Sequence, residues 1–305
     1  MDNLLNENNC GEEIFMNDLR PEMLKMLEEL ACFCEENQIR YYLDGGTLIG
    51  AARHKGFIPW DYDIDIMMPR PDCLKLKEIS GGKIGKYRVV DPSEKEYELA
   101  EPYRLYNDDY VVYNTSIGTY KPLWIDIECM VGFPETQSEI KKTFKRLRIY
   151  RGFCSSLVGK AWRGKKLKKK ILRVMVRPIA RIAGYDYFFD KMEKEKYKYD
   201  FDSSTYVGNM ASPKAKWKGL VRKEEYVKPC KLEFEGRMYC VPGNYLDYLL
   251  PLYGPDCTTT LPPPQKRRIS RAFRFYKYKD SEVEINKENK TEKVENKVFE
   301  SLKER

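Results

Sequence analysis

Histidine is almost missing from this chain: its 305 residues contain one, His54. A His-rich metal centre is therefore excluded, and any metal falls to oxygen ligands. The nine cysteines are odd in number and include no CxxC pair, the closest two being Cys32 and Cys34. Nothing in that pattern resembles a zinc or disulfide framework. No apolar run approaches the roughly 20 residues that cross a bilayer. The N-terminal stretch MDNLLNENNCGEEIF lacks the basic region and apolar core of a signal peptide. These absences make a cytoplasmic protein the expectation, with peripheral attachment at the inner face of the membrane left open. Acid is also absent locally. Residues 140–181 hold sixteen Lys or Arg and no Asp or Glu, while elsewhere 39 basic residues face 47 acidic ones. The net charge of +8 thus belongs to one segment, and says more about partners than about the fold.

What is present is enough for a core: 42% of residues are hydrophobic, as in a globular protein. Residues 1–16 read as a flexible lead-in. Leu19, Met23, Met26, Leu27, Leu30, Ala31 and Cys34 recur at helical spacing, which predicts an amphipathic helix over 19–37. A short strand follows at 40–43, then a short helix at 47–54. Polar–apolar alternation predicts a strand at 63–68. Further strands are expected at 87–90, 104–106, 110–113 and 124–131. Helical patterns occupy about 137–151, 165–182 and 186–199. Strands at 231–234 and 238–241 precede a helix at 245–253. The last stretch, 280–305, is charged and poor in apolar residues, hence a frayed helix or disordered tail. The organisation expected is a catalytic core over 17–135, a basic helical segment over 136–205, a C-terminal part over 206–279 completing the domain, and the tail.

The chemistry concentrates in LDGGTLIGAARHKGFIPWDYDIDIMMPR, residues 43–70. On a strand, residues i and i+2 face the same way, so Asp63 and Asp65 project together while Ile64 and Ile66 point inward. Two adjacent carboxylates repel unless a cation neutralises them. Oxygen ligands of this kind suit Mg2+ or Mn2+. In Trp124-Ile125-Asp126-Ile127-Glu128 the same alternation sets Asp126 and Glu128 on one face; pairing beside the first strand makes Asp126 a third carboxylate. The bland alternative is a polar strand face meeting water. Gly45-Gly46-Thr47 lies between a strand and a short helix, where glycine lets backbone approach phosphate, the helix start offers free N–H groups, and Thr47 adds a hydroxyl. Arg53 can make bidentate phosphate contacts, with His54 and Lys55 beside it, or the three form an ordinary cationic helix end.

That stretch resembles the signature of the LicD family of phosphocholine transferases of bacterial surface glycans, with fukutin-type proteins as distant relatives. The likeness continues in WIDIEC (124–129), in VPGNYLDYLLPLYGPD (241–256) and in LPPPQKRR (261–268). It implies an α+β, nucleotidyltransferase-like fold: a small mixed sheet flanked by helices, with a helical insertion and a C-terminal accessory region. Carried over, it makes Asp63, Asp65 and Asp126 the catalytic metal-binding acids. Gly45, Gly46 and Thr47 would line the nucleotide phosphates, with Arg53 beside them. Family members usually carry three consecutive acids where this chain reads Asp61-Tyr62-Asp63, and a histidine after the Pro-rich motif where this chain has none. The implied donor is CDP-choline or a similar CDP-linked compound. The implied acceptor is a hydroxyl of a cell-surface glycan or its lipid-linked precursor. Another cargo, such as a polyol phosphate or a nucleotide, and a worn-out enzyme that binds anionic surfaces remain alternatives. A choline head group would need an aromatic cage, to which Trp60, Tyr62 and Trp124 are candidates.

The basic segment offers two readings. Leu167, Ile171, Val174, Met175, Ile179 and Ile182 fall at helical spacing among many Lys and Arg. Either this apolar stripe packs on the domain and the basic face meets water, or the basic face docks on an anionic membrane. No nucleic-acid recognition module is legible, so nucleic acid is not an expected partner.

Overall fold

The computed structural model describes residues 5–91, 102–115, 118–157, 167–209, 219–262 and 273–279. The expected 280–305 tail and most of the LPPPQKRR motif lie outside these residues. The elements in chain order begin with β1 (Cys10–Ile14), α1 (Met16–Glu36), β2 (Tyr42–Leu43) and α2 (Gly45–His54). Next come β3 (Asp65–Pro69), α3 (Arg70–Ser80), β4 (Lys83–Ile84), β5 (Tyr87–Val90), β6 (Tyr103–Asn114) and β7 (Thr119–Phe133). The helical segment supplies α4 (Gln137–Leu157), α5 (Leu167–Ala183) and α6 (Tyr185–Lys196). The chain closes with β8 (Tyr206–Asn209), β9 (Val221–Arg222), α7 (Lys223–Tyr226), β10 (Pro229–Phe234), β11 (Arg237–Pro242), α8 (Tyr245–Tyr253) and β12 (Phe273–Tyr278).

Ten strands form one mixed sheet along the path β1-β12-β6-β7-β3-β2, with β5 and β4 beside β6, and β8 and β9 beside β7. Among the described residues only β3 and β7 pair in parallel. The sheet is larger than the small one expected, for two reasons. The separate strands at 104–106 and 110–113 are one bulged strand, β6, shared between β5, β7 and β12. And residues 10–14, expected within a flexible lead-in, form β1, which pairs with β12 across nearly the whole chain. Neither partner announces the other in sequence, because each has only short, irregular alternation.

The helix at the N-terminus forms as its spacing requires. Leu19, Met23, Met26, Leu27, Leu30, Ala31 and Cys34 are all buried in the main core, with Ile66, Met67, Met68, Leu105, Ile125 and Ile127 of the central strands. Burial of this stripe, at about 25 cal/mol per Å² of apolar surface, is what holds α1 on the sheet. The acidic strand starts later than expected: β3 begins at Asp65, and Asp63 stands in the loop before it. The reason is local. The segment 58–61 turns sharply, with the Asp61 N–H donating to the Ile58 carbonyl at 2.9 Å, and the chain extends into the sheet only beyond it.

Candidate active site

The site forms where β3 and β7 run side by side. Asp65 is in register with Asp126, so the two residues lie side by side on one face of neighbouring parallel strands, whose backbones run about 4.8 Å apart. The Asp126 N–H donates to the Ile64 carbonyl at 3.2 Å. The start of α2 closes over the same spot. The Asp44 N–H donates to the Asp65 carbonyl at 2.9 Å, and the Asp65 N–H donates to Thr47 Oγ1 at 3.0 Å. Thr47 keeps its own hydroxyl proton to offer elsewhere. Gly45 holds φ +50°, a left-handed conformation that disfavours side chains, and a Cβ there would press on the Asp65 carboxylate at 2.8 Å. A Cβ at Gly46 would collide with the Asp61 carboxylate. The glycine pair thus allows helix and acids to approach.

Six carboxylates share this region, and their charges interact. Burial, then Asp61, pushes Asp63 up to about 8, and Asp126 adds to the shift. Asp61 and Asp63 are hydrogen-bonded through their side chains, which requires a proton between them. Asp65 is raised well above the usual carboxylate range by burial first, then by Asp63, Asp126, Asp44 and Asp61. Asp44 is raised by burial; Tyr248 and the Gly45 N–H donate to it, yet its Oδ1 is buried with no partner. On the strand face that bears Asp126, Glu128 is pushed up to about 7 by burial and by Asp126.

This is an all-oxygen set of mutually repelling acids, one of them with an orphaned oxygen. Its chemistry fits a hard divalent cation. Among the described residues, no group of three His, Cys, Asp or Glu side chains is gathered ready to hold a metal. The side chains that carry the charge are nevertheless adjacent.

Arg53, expected beside the phosphates, gives its hydrogen bonds to groups other than the acids. Its Nη1 donates to the Cys257 carbonyl at 2.9 Å and the Thr260 carbonyl at 3.2 Å, and its Nε donates to His54 Nε2 at 2.9 Å. It ties α2 to the loop after α8. Lys55 pairs with Glu233 at 3.1 Å. Tyr62 and Trp124 do converge, both against Phe273 of β12, with ring centroids 5.0 Å and 6.0 Å away. Trp60 is half-buried against the core.

Four contributors were not legible in the sequence. Arg104, in register with Asp126 on β6, donates from Nε to its Oδ1 at 2.7 Å, from Nη1 to the Tyr106 hydroxyl at 3.2 Å, and stacks over Trp124 at 4.8 Å. Arg20, on α1, donates from Nη2 to the carbonyls of Ile58, Pro59 and Asp61, each at 3.1 Å, and stacks over Phe57. It fixes the turn that presents Asp61. Arg151 of α4 and Lys196 of α6 act electrostatically on Glu128, so the helical segment borders the site. No motif marks these residues, since their positions depend on strand register and helix packing. Asp61 and Asp44 could have been found, standing as they do beside the motif acids and glycines.

A mixed α/β chain with an acid cluster at the start of a glycine-initiated helix is the setting of a phosphate-handling domain, and residues 38–158 match the family described as LicD/FKTN/FKRP, nucleotidyltransferase domain. Over those residues the chain carries a LicD-type domain. It is 29% identical over 257 residues to the lipopolysaccharide cholinephosphotransferase LicD of Haemophilus influenzae, covering 80% of this chain and 91% of that protein. It is 30% identical over 128 residues to the human ribitol 5-phosphate transferase FKRP, covering 38% of this chain and 26% of that much longer protein. An uncharacterised protein of Rickettsia prowazekii is 46% identical over 44 residues, 14% of this chain and 16% of its own length.

Proposed function

We propose that this chain is a transferase that moves phosphocholine, or a related phospho-substituent, from a CDP-linked donor to a hydroxyl of a cell-surface glycan or its lipid-linked precursor. The observation that carries the reading is the register of Asp65 against Asp126 beside the first turn of α2, inside a LicD-type domain. A nucleotidyltransferase-like core is part of the same reading.

In this scheme Asp63, Asp65 and Asp126 would hold Mg2+ or Mn2+, which when bound neutralises the donor diphosphate and lowers the pKa of an attacking hydroxyl. The N–H groups of Gly46 and Thr47, without a partner inside the first turn of a helix, would receive phosphate oxygens at the favourable end of the helix dipole, and Gly45 would line the same cradle with its left-handed turn. Arg104 orients Asp126 by a charge-assisted hydrogen bond, which keeps one carboxylate oxygen engaged and leaves the other to act as ligand or base. Arg53 stiffens the far end of α2 through the Cys257 and Thr260 carbonyls. Tyr62, Trp124 and Phe273 form an aromatic wall on which a quaternary ammonium can rest.

The likeness to FKRP favours a second cargo, a polyol phosphate, on the same site. Incubation with Mg2+, an acceptor glycan and either CDP-choline or CDP-ribitol, followed by assay of released CMP, separates the two. Asp65→Asn is expected to lose that release. If neither donor yields CMP, or if Asp65→Asn turns over as the unaltered protein does, the proposal fails.

A further inference from the structure

The helix α5 is inside out relative to an ordinary surface helix. Ile171, Val174, Met175, Ile179 and Ile182 are 45–89% exposed. Ala180 is fully buried, against Cys154 of α4 and Phe188 of α6. At about 100° per residue, the five large apolar side chains form one stripe directly opposite Ala180. The reading in which this stripe packs on the domain is therefore overturned: the helix rests on a small residue and turns its bulk outward. Arg181, also exposed, stands at the edge of the stripe.

Water is a poor solvent for such a stripe, and the surrounding charge says what covers it. Residues 140–181 carry sixteen Lys or Arg and no acid. A second copy would bring two such segments face to face, setting cation against cation. Nucleic acid would satisfy the cations and leave the isoleucines unpartnered. Only an anionic bilayer offers negative head groups and acyl chains a few ångström apart. Among the described residues no helix is long and apolar enough to cross a membrane, so the contact is with its surface.

We propose that α5 docks this protein on an anionic lipid bilayer, lying in the interface with the stripe from Ile171 to Ile182 among the acyl chains and the basic side chains at the head groups. The docking stands independently of which group the site transfers, because it rests on a different surface.

The test is co-sedimentation of the full chain with phosphatidylglycerol–phosphatidylcholine vesicles and with phosphatidylcholine vesicles, at about 0.05 M and 0.5 M salt. Binding is expected for the anionic vesicles alone and should fall with salt. Met175→Glu combined with Ile179→Glu should weaken it about a hundredfold, since two apolar insertions are lost. Arg181→Gln should weaken it about fivefold. The altered positions are exposed, so circular dichroism should match that of the unaltered protein, and CMP release on a soluble acceptor should be kept. Absence of binding, equal and salt-insensitive binding to both vesicles, or undiminished binding of the double variant overturns the proposal. So does a concentration-dependent dimer that the double variant abolishes, which would assign the stripe to a second copy.

Discussion

Replacing Asp63 with Asn should stabilise the protein at alkaline pH in the absence of divalent metal. The group sits among carboxylates that raise it from 3.8 to about 8. A displacement of that size corresponds to about 6 kcal/mol at 1.36 kcal/mol per pH unit. Asp63 is half-buried and shares its charge with Asp61 and Asp126, so screening leaves about 2–4 kcal/mol. The sign follows from linkage. The folded state holds this proton more tightly than the unfolded state, so stability falls as pH rises from about 4 towards 8. Asn cannot ionise and escapes that fall. Urea unfolding followed by tryptophan fluorescence, in chelator, should give nearly equal stabilities at about pH 4 and a more stable variant at about pH 8.5. Adding Mg2+ should reverse the order at high pH, because a ligand that binds only the folded wild type contributes about 2.7 kcal/mol at a hundredfold excess over its Kd. A variant no more stable than wild type at high pH without metal refutes the electrostatic account. An Mg2+ response equal in both proteins removes Asp63 from the metal site.

Arg104→Gln should leave Asp126 partly buried without its cation, costing about 2–4 kcal/mol in urea unfolding, with Mg2+ restoring part of the loss; an unchanged midpoint would mean that the Arg104–Asp126 contact contributes nothing. Arg20→Met removes three hydrogen bonds to the 58–61 turn and should lower turnover with a loss of about 1.5–3 kcal/mol in stability, whereas normal kinetics would show that the turn holds itself. Gly46→Val drives a side chain into the Asp61 carboxylate and bars the approach of phosphate, so KM for the donor should rise more than metal affinity falls; equal donor affinity, read by titration calorimetry, would reduce the glycine pair to a turn.

How much of this was legible before the fold is clearest residue by residue. The apolar positions of α1 could be named from spacing alone, because a stripe repeating every 3.6 residues has one economical way to be buried, and all seven are buried. The helix at Tyr245–Tyr253 and the strand at Tyr87–Val90 could be placed for similar local reasons. The acids and glycines of residues 43–70 were equally visible, since alternation and glycine chemistry are written in neighbouring residues.

The sequence by itself therefore determined which side chains carry chemistry and which short segments hold them. Only the tertiary structure decided how they meet. The register that sets Asp65 beside Asp126 and Arg104 across from it belongs to strand pairings between distant segments, and a shift of one residue would turn each side chain to the other face. The same holds for β1 and β12, whose pairing joins the two ends of the described chain. The exposed stripe of α5 makes the point most directly: periodicity fixed which residues share a face, but whether that face looks inward depended on where α4 and α6 left room, and there they took in Ala180.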